Sequence, residues 1–217
     1  MCGRFTLFSS PADLAAHFDV DEVRGPPLVR RYNIAPTDPV HTIAQHDGRR
    51  VLDTLRWGLL APWARAGARG AINARAESIA DRPSFRADFL ARRCIIPADA
   101  FYEWRTIDGR KQPYLIRLAS AAPMAFAGVY SSADVATCAI VTTSAHATMS
   151  HLHDRMPVVL DRRDWGPWLD PGVRDVGALS GLLIPQLPEE LVIHPVAPLV
   201  NDVRNDDERL IAPIAAA

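Results

Sequence analysis

Short apolar runs cut off by Gly, Pro or Asp-Gly recur along this chain from residue 2 to residue 196, most of them too brief to be helices. Residues 40–45 and 51–57 flank His46-Asp47-Gly48, which has the chemistry of a tight hairpin turn, and Asp108-Gly109 marks another turn. Further strands are expected over 2–7, 94–96, 101–104, 113–118, 125–130, 136–142, 156–160 and 192–196. Few helices interrupt the series. Ser10-Pro11-Ala12-Asp13 supplies a cap, a proline at the first helical position and an acid in the first turn, with Leu14 and Phe18 facing the core. Two more helices are expected at about 84–91 and 162–169. Residues 33–36 read as irregular and 58–70 as a loop. This pattern predicts an α+β fold: a single domain over 1–217, core about 2–210, with a curved, barrel-like, mostly antiparallel β core flanked by short helices.

Hydrophobic residues make up 48% of the 217 and charged residues 23%, which excludes wholesale disorder. No apolar run approaches the roughly 20 residues of a membrane-spanning helix. The start, Met1-Cys2-Gly3-Arg4, lacks the apolar stretch of a secretory signal. Cys2, Cys94 and Cys138 are too few and too scattered for a disulfide framework or a zinc site. A cytoplasmic protein is expected, nucleoid-associated if bacterial. The net charge of −1 hides an asymmetry: residues 1–120 carry 18 Lys+Arg against 13 Asp+Glu, and residues 121–217 carry 6 against 12. Segment 49–93 alone holds ten arginines against four acids, and Lys111 is the only lysine in the chain. An arginine-rich segment permits a polyanionic partner without requiring one.

A cysteine at position 2 has chemistry that no internal cysteine has. Removal of Met1 leaves Cys2 with a free α-amine and a thiol on adjacent carbons. The amine, with an ordinary pKa of about 7.7–8.0, is partly neutral at pH 7 and attacks aldehydes to give a Schiff base. The thiol can then close on the imine carbon to form a thiazolidine, with proximity removing most of the entropic cost. Alternatively, the amine can serve as base for its own thiol, as in N-terminal nucleophile hydrolases. Three other polar residues sit among apolar neighbours, where polarity is costly: Asn73 in Ile72-Asn73-Ala74, Glu103 in Tyr102-Glu103-Trp104, and His153 just before Arg155-Met156-Pro157. A carboxylate among aromatic rings and a histidine suit proton transfer. Spacing alone does not bring the three together.

Eight blocks carry a resemblance. Met1-Cys2-Gly3-Arg4-Phe5, Arg31-Tyr32-Asn33-Ile34-Ala35-Pro36, Arg56-Trp57-Gly58-Leu59-Leu60, Ile72-Asn73-Ala74-Arg75-Ala76-Glu77, Arg93-Cys94-Ile95-Ile96-Pro97-Ala98-Asp99, Phe101-Tyr102-Glu103-Trp104, His153-Asp154-Arg155-Met156-Pro157, and His194-Pro195-Val196 with Asn201 and Asn205 run in order across nearly the whole chain. In these blocks the chain resembles the SOS response-associated peptidase (SRAP) family.

The resemblance implies an abasic-site sensor for single-stranded DNA. Its N-terminal cysteine captures the sugar aldehyde as a thiazolidine crosslink, with associated lyase activity. Carried over residue by residue, Cys2 matches the nucleophile and Asn73 the amide that holds the α-amine or the sugar. Glu103 matches the carboxylate that shuttles the amine's protons. His153 matches the acid–base group for ring opening, Schiff-base formation and strand cleavage. Arg4, Arg75 and Arg155 lie near these residues, where flanking phosphates must pass. Trp63 and Trp104 match stacking positions, and Pro36 resembles a wedge-like contact at a single/double-strand junction. The chain departs from some relatives in having Trp63-Ala64 in place of two tryptophans, and in the apolar Ala197-Pro198-Leu199-Val200 before Asn201. A monomer is expected, with no metal, no organic cofactor and no membrane partner. Two other readings stand beside this one: a cysteine peptidase acting through Cys2, and a module that binds single strands or junctions without forming a bond.

Overall fold

The computed structural model describes residues 2–26, 29–61, 63–65, 67–132 and 135–215. In chain order the elements are β1 (Phe5–Leu7), α1 (Pro11–His17), β2 (Glu22–Val23), β3 (Arg31–Ile34), β4 (Pro39–His46), β5 (Arg49–Trp57), β6 (Asn73–Arg75), α2 (Pro83–Ala91), β7 (Arg93–Ala98), β8 (Ala100–Ile107) and β9 (Arg110–Leu118). They continue with β10 (Met124–Ser131), β11 (Thr137–Ser144), β12 (Arg155–Pro157), α3 (Arg162–Leu169), α4 (Val176–Gly181) and β13 (Leu191–Pro195). The α+β class is as expected.

Local chemistry accounts for the boundaries. The Ser10 hydroxyl accepts the Asp13 N–H at 3.1 Å and opens α1, with Pro11 at its first position. Asp47 and Gly48 have φ of 50° and 78°, and Asp108 and Gly109 have 48° and 76°. These left-handed pairs turn β4 into β5 and β8 into β9.

Two sheets form. One has the order β13-β9-β8-β1-β3. In the other, β11-β10-β7-β4-β5 run as neighbours, and β5 pairs back onto β11 in parallel through Arg56↔Thr137 and Trp57↔Cys138. That last pairing closes the sheet into a ring, the barrel-like core expected. Phe5 of the first sheet meets Trp57 at 5.2 Å and Phe126 at 6.2 Å, and Phe101 meets Phe126 at 5.8 Å, all edge-on. Aromatic edges therefore weld the open sheet to the ring. Arg93 is buried, its guanidinium donating to the carbonyls of Phe89, Trp168, Asp170 and Val173. It draws together the C-terminal ends of α2 and α3, where carbonyls are otherwise unpaired. Among the described residues no helix is long and apolar enough to cross a membrane.

Several expectations shift. The segment expected to be irregular at 33–36 includes part of strand β3, because Phe5↔Ile34 and Leu7↔Arg31 pair it to β1. Residues 2–4 are not strand, and the strand expected over 156–160 divides into β12 and a single bridge between Val159 and Phe126. The short elements β2, β6 and α4 lack a sequence period long enough to read.

Candidate active site

Strand β1 lies inside its sheet, between β8 and the edge strand β3, with Phe5 opposite both Phe101 of β8 and Ile34 of β3. The Tyr102 N–H donates to the Arg4 carbonyl at 3.0 Å, so the pairing runs on toward the chain start and brings Gly3 opposite Glu103. Topology thus delivers the carboxylate to position 2, which spacing could not do.

Cys2 is fully buried, and its carbonyl accepts a 3.0 Å hydrogen bond from Asn73 Nδ2. Asn73 is held in place because β6 pairs in parallel with β11, with Asn73 opposite Ile140. Its Oδ1 is buried and has no hydrogen-bond partner among the described residues. Burial pushes the Cys2 thiol well above its usual range, and the Glu103 carboxylate pushes it further the same way. Glu103 is buried at 4% exposure, between Tyr102 and Trp104 on β8.

His153 ends the loop between β11 and β12. Buried Met149 and Leu152 pin that loop, and Met149 O accepts the Leu152 and His153 N–H groups. His153 Nδ1 lies 2.7 Å from an Asp154 carboxylate oxygen and 3.0 Å from the Arg155 N–H. Nδ1 thus accepts the Arg155 N–H, with the Asp154 carboxylate flanking the same nitrogen.

Arg4, Pro36, Glu103, Trp104 and His153 line one open cleft of about 530 Å³, together with Gly3. Arg4 NH1 donates to Asn33 Oδ1 and to the Val200 carbonyl, each at 2.7 Å. Trp104 Nε1 donates to Asn201 Oδ1 at 2.8 Å. Five of the ten residues singled out from the sequence thus share a wall, with Cys2 and Asn73 joined behind Gly3.

The other three lie outside the cleft wall. Trp63 is 65% exposed on the loop after β5, and Arg75 is exposed at the end of β6. Arg155 grips both Glu77 carboxylate oxygens, at 2.6 and 3.0 Å, and donates to the Thr142 carbonyl. That guanidinium braces β12 against β11 in the described structure. Asn33, fully buried, has no counterpart among the residues singled out by chemistry. Its Nδ2 donates to the carbonyls of Val200, Asp202 and Asn205, while Asp206 accepts the Tyr32 and Asn33 N–H groups. An Asn inside an expected irregular stretch gave no signal of this. Among the described residues no group of three His, Cys, Asp or Glu side chains is arranged to hold a metal ion.

Comparison with known proteins converges on one group. The family pattern described as SOS response associated peptidase (SRAP) matches residues 1–203. The abasic site processing protein YoqW of Bacillus subtilis is 40% identical over 221 residues, spanning 97% of this chain and 99% of that one. The abasic site processing protein YedK of Escherichia coli is 29% identical, spanning 99% and 100%. A crystal structure of a Bacteroides thetaiotaomicron protein shares the fold at a TM-score of 0.86 and 22% identity, covering 99% of this chain and 100% of that one. A phage-related protein of Bordetella bronchiseptica gives 0.72 at 31% identity, covering 90% and 94%. A pattern spanning residues 1–203, joined to relatives that match end to end, assigns the chain to the SOS response-associated peptidase family.

Proposed function

We propose that this chain captures abasic sites in single-stranded DNA covalently, through Cys2 after Met1 is removed, and cleaves the strand at such sites as an associated lyase. The observation that carries the proposal is the convergence of the chain start with Glu103, His153 and Arg4 around one cleft. The names of the relatives, abasic site processing proteins, support the same substrate.

The chemistry follows from the groups present. His153 assists opening of the sugar ring, which exposes the C1′ aldehyde. The Cys2 amine adds to that carbon, and the carbinolamine loses water to give an imine. The thiol then adds across the C=N bond, sulfur to carbon and hydrogen to nitrogen, so the thiazolidine retains every atom except one water. The amine leads and the sulfur follows, because the five-membered ring can close only once the imine carbon exists, with Glu103 beside the chain start carrying the proton between them. In the lyase branch, His153 or Glu103 takes the C2′ proton of the imine and the 3′ phosphate departs. Arg4 holds a flanking phosphate, assisted by Arg75, and Trp63, Trp104 and Pro36 support flanking bases at about 1–3 kcal/mol for each stacked base. The protein acts as a monomer on single strands, including those beside a duplex.

The test is intact mass spectrometry of Met1-free protein mixed with a single-stranded oligonucleotide containing one abasic site, without added reductant. The expected species is protein plus DNA minus one water, stable to denaturant and absent for Cys2→Ala. A Met1-free wild-type protein that gives no adduct, or a Cys2→Ala protein that gives an equally durable one, would overturn the mechanism.

A further inference from the structure

A second groove, of about 500 Å³, runs beside the cleft along the β8–β9 hairpin, and Lys111 lines both. The hairpin register explains how one residue serves two spaces. Trp104 lies opposite Pro113 and Thr106 opposite Lys111, so these four share one face of the ribbon. Lys111 therefore sits one repeat beyond Trp104, about 7 Å along the strand direction.

The tail of the chain forms part of both spaces. Pro198 lines the groove, while Asn201, three residues on, lines the cleft and holds the Trp104 indole. Gln112 ties the groove to the segment after β13, its Nε2 donating to the Val196 carbonyl at 2.9 Å. In charge, the groove sets Arg110 and Lys111 against Asp108. Among the described residues, no ion pair engages Arg110 or Lys111, whereas Arg24 pairs with Glu22 and Arg162 with Asp19; the exposed Arg65, Arg69 and Arg75 are likewise without one. Lys111, an exposed cation on the same ribbon face as the Trp104 indole, with Arg110 beside it in the groove, matches a phosphate backbone better than any other ligand class.

We propose that one arm of the bound strand leaves the cleft through this groove, and that Lys111 holds the phosphate at the exit. The inference rests on the proposed function, and it names a DNA path that Cys2, Glu103 and His153 do not determine. A flexible ammonium suits this place, since it follows a moving phosphate as a point charge where an arginine fork would fix an angle.

The experiment compares wild type, Lys111→Gln and Lys111→Arg on abasic oligonucleotides whose arms are shortened from one side or the other. Two readouts are used: adduct formation, and fluorescence anisotropy with an unmodified single strand. Loss of one phosphate contact lowers the salt slope by about 0.7, which is about fivefold in affinity at 0.1 M salt. Lys111→Gln is expected to show that loss for strands extended on one side only, and to match wild type once that arm is removed. Lys111→Arg is expected to restore the slope. An equal loss on both arms, or none, overturns the groove. A wild-type protein that binds strands but forms no adduct refutes the covalent mechanism instead, and the anisotropy series still decides the path.

Discussion

Replacing Asn33 by Ala removes a clasp whose cost can be counted from its partners. Arg4 NH1 loses one of two acceptors but keeps the Val200 carbonyl. The Val200 oxygen keeps Arg4, and the Asp202 oxygen keeps the Asn205 N–H at 3.1 Å. Asn205 O loses the Asn33 amide. The ledger is therefore one hydrogen bond to a charged group, at about 1.5–3 kcal/mol, and one carbonyl left short of a donor, at about 1–3 kcal/mol. Asn205 is half-buried and water can reach it, so the lower ends apply and the sum is about 2.5 kcal/mol. For a chain of this size that lowers the melting temperature by roughly 5–10 °C. The assay is urea unfolding, with the midpoint falling and the slope unchanged, together with limited proteolysis mapped by mass. Early cleavage is expected within 198–210, the segment that Asn33 holds. A loss below about 1 kcal/mol, or first cleavage elsewhere, would refute the accounting. Asn33→Asp sharpens the test: it keeps an acceptor for Arg4 but turns a carboxylate toward three carbonyls, so the tail should loosen while Arg4 stays paired.

Two further perturbations probe other parts of the molecule. A Cβ on Gly70 would lie 2.0 Å from the Gly58 carbonyl oxygen, where two backbones cross beside the Leu59–Ala71 bridge. Gly70→Ala should cost about 3 kcal/mol in thermal unfolding, whereas Gly181→Ala, with open space around its Cβ, should be neutral or slightly stabilising; equal melting of the two variants would contradict the crossing. Burial pushes His41 down to about 4, with Asp53 opposing weakly. The folded state therefore disfavours its protonation, so the stability linked to it is complete above pH 6.5 and is lost as pH falls toward 4. His41→Gln should flatten stability against pH across that window, and an unchanged difference between wild type and variant at pH 7 and pH 4.5 would refute the assignment.

The hairpins and α1 were legible because their signals are local: Asp47-Gly48 and the Ser10 cap act within a few residues. The chain start and Glu103 could be linked before the fold only through family likeness, since β1 meets β8 across about 95 residues of sequence. Asn73 illustrates the middle case. Its polarity among apolar neighbours marked it, but its partner, the Cys2 carbonyl, depends on β6 lying beside β11. The clasp of Asn33 and Asp206 on the tail and on β3 could not be read because most of its hydrogen bonds go to backbone carbonyls and amides, which ask nothing of the sequence at the far end. Arg155 shows the converse: a cation near His153 reads the same in sequence whether it faces solvent or a Glu77 carboxylate.

The interior position of β1 has a mechanical consequence. Chain starts usually fray, but here the strand after residue 2 is bonded along both edges, to β3 and to β8. Beyond it, the Asp99 carboxylate accepts the Phe8 and Ser9 N–H groups, at 2.5 and 2.7 Å. A pull applied at residue 2 along the strand axis loads all these bonds in shear, together rather than one after another. A group joined to Cys2, as proposed, would thus be anchored to an interior strand, and drawing it away would require sliding that strand out between its neighbours at the rate of forced unfolding.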